Sequence, residues 1–181
     1  MKNGLFLVIL FCINIGLLSA QGTIFSKPRN DENRRIIENF KKSLMGKSLA
    51  DFRFEDIQGN KLQKKELTGK VIVINLWFTS CQPCISEMPQ LNELVAAHKD
   101  TNVVFIAPAL DNMEGVTKFL LKHTFNYQVV PDQEKYADKL KVQYFPAHIV
   151  ADKKGIIRQV EVGYNPHIND LLGKTIDDLL K

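Results

Sequence analysis

The feature that most constrains the fold is a continuous run of β-branched and aromatic residues, VIVINLWF, at 71–78. A strand with one solvated face alternates apolar and polar residues, whereas an unbroken apolar run is typical of a strand buried on both faces. A second such run, VVFIAPA at 103–109, follows a helical stretch that ends near His98. Strand, helix and strand predict a βαβ unit, and therefore a sheet with parallel character.

Segments on both sides of this unit complete the prediction of one α/β domain. Upstream, apolar residues at helical spacing predict a helix over 31–45, ended by Gly46, and the turn 58–61 predicts a hairpin. The downstream patterns predict, in order, a helix at 112–123, a strand at 127–130, a helix at 134–140, strands at 148–150 and 156–162 around the turn 152–155, and a closing helix at 168–180. This order predicts one central mixed sheet with helices on both faces.

The first twenty residues have the pattern of a secretory signal. Lys2 precedes the mostly apolar run 5–18, and Ser19 and Ala20 supply small residues at the expected cleavage point. The run is shorter than the roughly 18 apolar residues of a membrane span, although an uncleaved anchor remains the alternative. We therefore expect an exported protein of the periplasm or cell envelope, with membrane contact only if the segment is uncleaved. The predicted divisions are a signal at 1–20, a leader with an extra helix at 21–47, of which 21–30 is flexible, and a domain at 48–181.

Composition excludes several classes of protein. With 45% hydrophobic and 24% charged residues, the chain can fill a core and is not a disordered chain. Without Lys2 the balance is 23 basic against 20 acidic side chains, or +3. So small an excess gives no reason to expect a nucleic-acid partner.

Removal of the signal leaves two cysteines, Cys81 and Cys84, at the junction of the buried strand and the following helix. A thiol at a helix amino terminus meets unpaired N–H groups and the positive end of the helix dipole, which lower its pKa from about 8.5 into a range of about 3.5–7.5. We predict that Cys81 attacks a substrate disulfide and that the shielded Cys84 resolves the mixed disulfide. A zinc site would need two further ligands, and a purely structural disulfide across so short a loop would stabilise little.

The stretch from Gly69 to Pro89, GKVIVINLWFTSCQPCISEMP, resembles the active-site region of the TlpA/ResA branch of thioredoxin-like thiol:disulfide oxidoreductases, and the resemblance extends loosely over 48–181. It implies a thioredoxin-like fold with an αβ insertion at about 112–131. It also implies a cis Pro146 facing the cysteines, with the backbone of Phe145 available to an extended substrate. A trans proline at a strand start is the general alternative.

The same resemblance assigns roles near the cysteines. Glu87 matches the branch's active-site glutamate and could relay the proton that Cys84 loses, unless it is merely a solvated helix acid. Trp77 matches the tryptophan under the site, where it would support substrate binding, although packing alone could explain it. Asn75 stands where thioredoxin has a buried acid, so proton handling must come from elsewhere. Ser80 departs from the branch, which usually has an aromatic residue there, and this leaves the substrate fit open.

The leading functional prediction is an enzyme that reduces disulfides of partner proteins, in cytochrome c maturation as the resemblance implies. It would use no cofactor beyond its own redox-active disulfide and would be recycled by a membrane thiol donor. The alternative is a Cu(I) carrier that binds through Cys81, Cys84 and His148, since thiolate and imidazole suit that ion. We otherwise expect His148 to be structural. A peroxiredoxin is set aside because Phe78 stands where such an enzyme needs Thr or Ser.

Overall fold

The computed structural model describes residues 27–99 and 101–181, so the predicted signal at 1–20 lies outside the described residues. The strands are β1 Arg53–Glu55, β2 Lys61–Gln63, β3 Val71–Leu76, β4 Val103–Pro108, β5 Gln128–Val130, β6 Ala147–Ala151 and β7 Ile157–Val162. The helices are α1 Lys27–Leu44, α2 Gln82–Ala97, α3 Met113–Leu120, α4 Glu134–Leu140 and α5 Ile168–Leu180, with a 3₁₀ turn at Lys64–Leu67. The predicted order of elements is confirmed, with ends that differ by a few residues.

Five of the strands form one mixed sheet in the order β5-β4-β3-β6-β7. The contacts of β3 with β4 and of β4 with β5 are parallel, and β6 and β7 are antiparallel to their neighbours. The strands β1 and β2 pair in a separate two-stranded sheet, which is the predicted hairpin. This is the thioredoxin-like α/β arrangement that the resemblance implied.

The central strand β3 is buried along its whole length, as its composition predicted. Ile72, Ile74 and Leu76 belong to one apolar cluster, which α4 and the β1-β2 hairpin also line. Val71 and Val73 belong to a second cluster, which contains residues of α2 and α5. The sheet is therefore the middle layer of three, because alternate side chains of a strand point to opposite faces.

The strand predicted at 71–78 ends earlier, at Leu76. Trp77 continues it by a single parallel bridge to Ala109, so the pairing beyond Leu76 is limited to one residue. From there the chain leaves the sheet and enters α2. Because β3 ends early, the segment before the cysteines is a loop that begins at the carboxyl end of this central strand.

The amino-terminal helix is longer than predicted. The pattern placed a flexible leader over 21–30, whereas α1 begins at Lys27. Pro28 does not prevent this start, because proline is tolerated in the first turn of a helix, where its missing N–H would have no partner. As predicted, the helix has ended by Gly46. This glycine has a φ of +75° and donates its N–H to the carbonyl of Ile157 at 2.9 Å. A left-handed glycine is the common way to end a helix.

The second half of α1 contacts the domain. Phe40 and Leu44 pack partly against the first apolar cluster, and Lys41 Nζ donates to Glu161 Oε2 at 3.0 Å. Residues 31–36 are exposed. Within 27–99 and 101–181, no helix is both long and apolar enough to cross a bilayer.

Candidate active site

The two cysteines lie at the amino terminus of α2, as their position after β3 predicted. Cys81 is the residue that caps the helix, and its Sγ accepts the backbone N–H of Cys84 at 3.3 Å. The two are joined in a disulfide with 5.3 Å between their Cα atoms. The structure therefore holds the oxidised form of a Cys-x-x-Cys pair, with the leading sulfur at the positive end of a helix.

The side chains of both cysteines are buried. Cys81 is 4% exposed and Cys84 is 2% exposed. We expected shielding for Cys84, but no pattern in the chain indicated that Cys81 would also be covered. Ser80 is exposed, in contrast to the aromatic residue that the branch usually has there. The exposed surface next to the disulfide is consequently polar at this position.

An aromatic pair flanks the disulfide. Phe78 and Phe145, both half-buried, meet edge to face with ring centroids 5.4 Å apart. Each packs against the second apolar cluster, to which the two cysteines belong. Since the two aromatic residues come from the ends of different strands, their contact joins the loop before Cys81 to the segment before β6.

The peptide bond between Phe145 and Pro146 is cis, as the resemblance implied. The carbonyl of Pro146 accepts the N–H of Gly163 at 2.8 Å. The residue after Pro146, Ala147, pairs with Leu76 at the end of β3. The cis proline is thus held next to the carboxyl end of β3, where the loop to the cysteines begins.

Trp77 lies beneath the site. Its side chain has no exposed surface and packs against Phe119 and Phe125, with ring centroids 5.1 and 5.6 Å away. It belongs to the same apolar cluster as both cysteines. Any contribution of Trp77 to substrate binding has to be made through the residues that it supports, because it offers no surface to a partner.

Asp111 anchors the loop before the cysteines, and sequence reasoning missed it. Its Oδ2 accepts the backbone N–H of Thr79 at 2.6 Å, and its Oδ1 accepts the Thr79 hydroxyl at 2.8 Å. The signal was available, because an acid soon after the end of β4 meets the loop that follows the neighbouring parallel strand β3. This carboxylate fixes the residue two positions before Cys81.

Glu87 is fully buried, not a solvated helix acid. Its Oε1 accepts the backbone N–H of Asn165 at 2.6 Å, and its Oε2 lies 2.9 Å from His148 Nε2. His148 is likewise fully buried, and its Nδ1 lies 3.0 Å from the side-chain nitrogen of Asn75. The structure therefore brings Glu87, His148 and Asn75 into one hydrogen-bonded chain under the active-site helix.

The hydrogen bonds of this chain define the state of each group. The amide nitrogen of Asn75 can only donate, so Nδ1 of His148 accepts and the ring proton lies on Nε2. His148 then donates to Glu87, which accepts two hydrogen bonds, as suits an ionised carboxylate. Burial raises the pKa of the Tyr127 hydroxyl well above its usual range, and the charge of Glu87 raises it further. The Tyr127 hydroxyl is uncharged and has no hydrogen-bond partner among the described side chains and backbone.

The geometry disfavours the Cu(I) carrier. Both ring nitrogens of His148 have partners within the protein, Asn75 and Glu87, so no free lone pair is available for a metal. In the part of the chain that the structure describes, no group of three or more His, Cys, Asp or Glu side chains is arranged to hold a metal ion.

Comparison with known proteins agrees with this geometry. The profile of the AhpC/TSA family matches residues 45–160, which is more than half of the chain. The chain belongs to the AhpC/TSA family. Within it, the chain is 32% identical over 124 residues to the thiol-disulfide oxidoreductase ResA of Bacillus anthracis, and the match covers 67% of this chain and 72% of that protein.

Solved structures of other proteins share the fold of this family member. The thioredoxin domain of a thiol-disulfide oxidoreductase from Bacteroides vulgatus superposes with a TM-score of 0.65 at 22% identity, covering 76% of this chain and 98% of that chain. StoA from Bacillus subtilis superposes with a TM-score of 0.61 at 21% identity, covering 70% and 96%. The ResA match confirms the predicted ResA-like family and thiol-disulfide oxidoreductase activity, and the solved structures confirm the thioredoxin-like fold.

Proposed function

We propose that this thiol-disulfide oxidoreductase is exported to the periplasm or cell envelope and acts there as a reductant of disulfides in partner proteins. The resemblance to the TlpA/ResA branch suggests cytochrome c maturation as the process that it serves. A membrane protein with a dithiol would supply the electrons that return the enzyme to its reduced form. The proposed catalytic groups are Cys81, Cys84 and Glu87.

The reaction begins with the thiolate of Cys81. It attacks one sulfur of the substrate disulfide, the substrate S–S bond breaks, and one substrate sulfur leaves as a thiolate. Cys84 then gives its proton to the Glu87 carboxylate and attacks the Cys81 sulfur. The substrate's second sulfur leaves, and the enzyme holds the Cys81–Cys84 disulfide. Two electrons have passed from the enzyme to the substrate.

One observation carries the proposal: Sγ of Cys81 lies at the helix amino terminus and accepts the N–H of Cys84. In the reduced form, the same N–H group and the helix dipole would stabilise a thiolate at this position. Glu87 is three residues after Cys84 on α2, a spacing that places the two side chains on one helix face about 5–6 Å apart at Cβ. Both are buried, so a proton that leaves Cys84 has few other acceptors.

Exchange kinetics test the roles of the two cysteines. The reduced enzyme should reduce a protein disulfide such as that of insulin, and Cys81→Ser should abolish this activity. Cys84→Ser should instead accumulate a mixed disulfide through Cys81. If alkylation across a pH series gives Cys81 the titration of a free thiol, the proposed activation by the helix is wrong.

Equilibration with glutathione tests the direction of the reaction. A reductant should have a reduction potential near that of thioredoxin, about −270 mV. A value near that of a strong disulfide-forming enzyme, about −120 mV, contradicts the reductant proposal.

Cell fractionation tests the proposed export and the partners. The full chain should appear in the envelope or periplasmic fraction, and a variant that lacks 1–20 should stay in the cytoplasm. Mixed disulfides trapped with the full-length Cys84→Ser variant should contain envelope proteins with paired cysteines. Trapping of cytoplasmic proteins alone would refute the proposed compartment.

A further inference from the structure

We infer that His148 is a positioning residue for this reaction, which holds Glu87 as an ionised proton acceptor beside Cys84, with Asn75 fixing the tautomer of its ring. This inference rests on the proposed role of Glu87. It assigns a function to a histidine that the sequence pattern left as a structural residue of β6.

The sheet register places the three groups together. Asn75 on β3 and His148 on β6 are directly opposite each other in an antiparallel pair, so their side chains are on the same face of the sheet. That face is covered by α2, from which Glu87 reaches His148 Nε2 at 2.9 Å. Asn165, in the loop before α5, closes the other side of the carboxylate with its backbone N–H at 2.6 Å. Each contact thus comes from a different element of the fold.

A fully buried carboxylate stays ionised only if donors replace its lost hydration. Glu87 has two such donors, and His148 is the one that comes from a side chain. Asn75 donates to Nδ1, which forces the ring proton onto Nε2, where it points at Glu87. Without this amide, the histidine could adopt the tautomer that presents a lone pair to the carboxylate. Asn75 therefore serves the orientation of the donor.

The other titratable groups around Glu87 do not replace His148. Tyr127, directly before β5, is uncharged because burial and the charge of Glu87 raise the pKa of its hydroxyl, and this hydroxyl has no hydrogen-bond partner among the described groups. Cys84, three residues before Glu87 on α2, is the group that gives its proton to the carboxylate. Proton transfer from the Cys84 thiol to Glu87 leaves a thiolate and a neutral acid, and the neutral acid still accepts from His148. When the donor thiolate later attacks the Cys81 sulfur and breaks the Cys81–Cys84 bond, Cys84 leaves as a thiolate, and Glu87 returns the proton to it, which restores both the thiol and the carboxylate.

The test separates the resolving step from the first attack. The reduced enzyme is mixed with glutathione disulfide over a pH series, and Cys84→Ser supplies the rate of the first attack alone. Three variants follow: His148→Leu removes the donor, His148→Asn keeps a polar side chain too short to reach Glu87, and His148→Gln keeps an amide donor that does not titrate.

We expect His148→Leu to slow the resolving step about tenfold and to move the acid limb of its pH profile up by about one pH unit, because the carboxylate loses a charge-assisted hydrogen bond. His148→Asn should behave in the same way. If the leucine variant does not fold, the asparagine variant takes its place in the test. His148→Gln should restore the rate to within about threefold, with the acid limb near its parental position.

Two results overturn the inference. An unchanged acid limb in both the leucine and asparagine variants, or an equal loss of rate in the glutamine variant at every pH, would make His148 a structural residue only. Glu87→Gln distinguishes a failure of the positioning role of His148 from a failure of Glu87 as the proton acceptor. If Glu87→Gln slows the resolving step while His148→Leu does not, only the positioning role fails. If Glu87→Gln resolves at the parental rate, the proposed proton acceptor fails, and the positioning role with it.

Discussion

Replacement of Asp111 by alanine should loosen the loop that carries Cys81. The carboxylate accepts the N–H of Thr79 at 2.6 Å and the Thr79 hydroxyl at 2.8 Å. Both residues are half-buried, so water does not fully replace the lost acceptor. Asp111→Ala therefore removes two charge-assisted hydrogen bonds at once and leaves the Thr79 N–H without its acceptor.

The expected cost follows from the number and burial of these bonds. A hydrogen bond to a charged group contributes about 1.5–3 kcal/mol, and half-exposed groups fall at the low end because water competes. Two bonds that share one carboxylate should thus be worth about 2–3 kcal/mol together. For a chain of 181 residues, a loss of this size lowers the Tm by about 5–10 °C. Disulfide reduction should slow as well, since Thr79 is two residues before Cys81.

Urea unfolding and a thermal scan of the oxidised protein measure the effect. Thr79→Val is the matched control, because it removes only the hydroxyl bond and keeps the backbone N–H to Asp111. We expect it to lose less than half as much free energy of unfolding as Asp111→Ala. A change below about 0.5 kcal/mol for Asp111→Ala, the usual range of a surface substitution, would refute the anchoring role.

Two further predictions concern the turn between β6 and β7. Burial acts to raise the pKa of Asp152, but the backbone N–H of Ile156 and the Arg158 guanidinium outweigh it, so the folded-state pKa is below its ordinary value. Asp152 should therefore contribute stability above about pH 4 and lose it as pH falls further, and the urea midpoint of Asp152→Asn should depend less on pH in acid than that of the parent protein. Gly155→Ala should cost about 1–2 kcal/mol in urea unfolding, because Gly155 has a φ of +74° and the added Cβ would lie 3.2 Å from Lys64 Cε. A stability equal to that of the parent would contradict this account.

The elements that depend on local pattern were predictable from the sequence. The unbroken apolar run of β3 indicated a strand with two buried faces, and the Cys-x-x-Cys after it indicated a helix start, as observed. The turn at 152–155 was also predictable, since Asp152 accepts the N–H groups of Lys154 and Ile156 within five residues of chain. In each case the interactions that decide the structure are near in sequence.

The start of α1 shows where local pattern failed. A segment with few apolar residues and a proline was interpreted as a flexible leader, yet the backbone is helical from Lys27. The missed residues, KPRN at 27–30, have no aliphatic or aromatic side chain, so no apolar spacing indicates this part of the helix. Patterns of apolar residues report burial and say little about a helical turn that contains none.

The buried chain of Glu87, His148 and Asn75 joins positions 61 and 73 residues apart, and no local pattern states such contacts. A different signal was present in the sequence. Asn75 is the one polar residue in a strand that is otherwise apolar on both faces, and His148 has a similar place in β6. A polar side chain in a strand with no solvated face must find a hydrogen-bond partner inside the protein. In the observed β3-β6 pair these two positions lie opposite each other, and the acid on the helix above them is the third member of the chain. The polar exceptions in a buried strand thus locate a buried hydrogen-bond network under α2 that the apolar residues, which fix the fold, do not reveal.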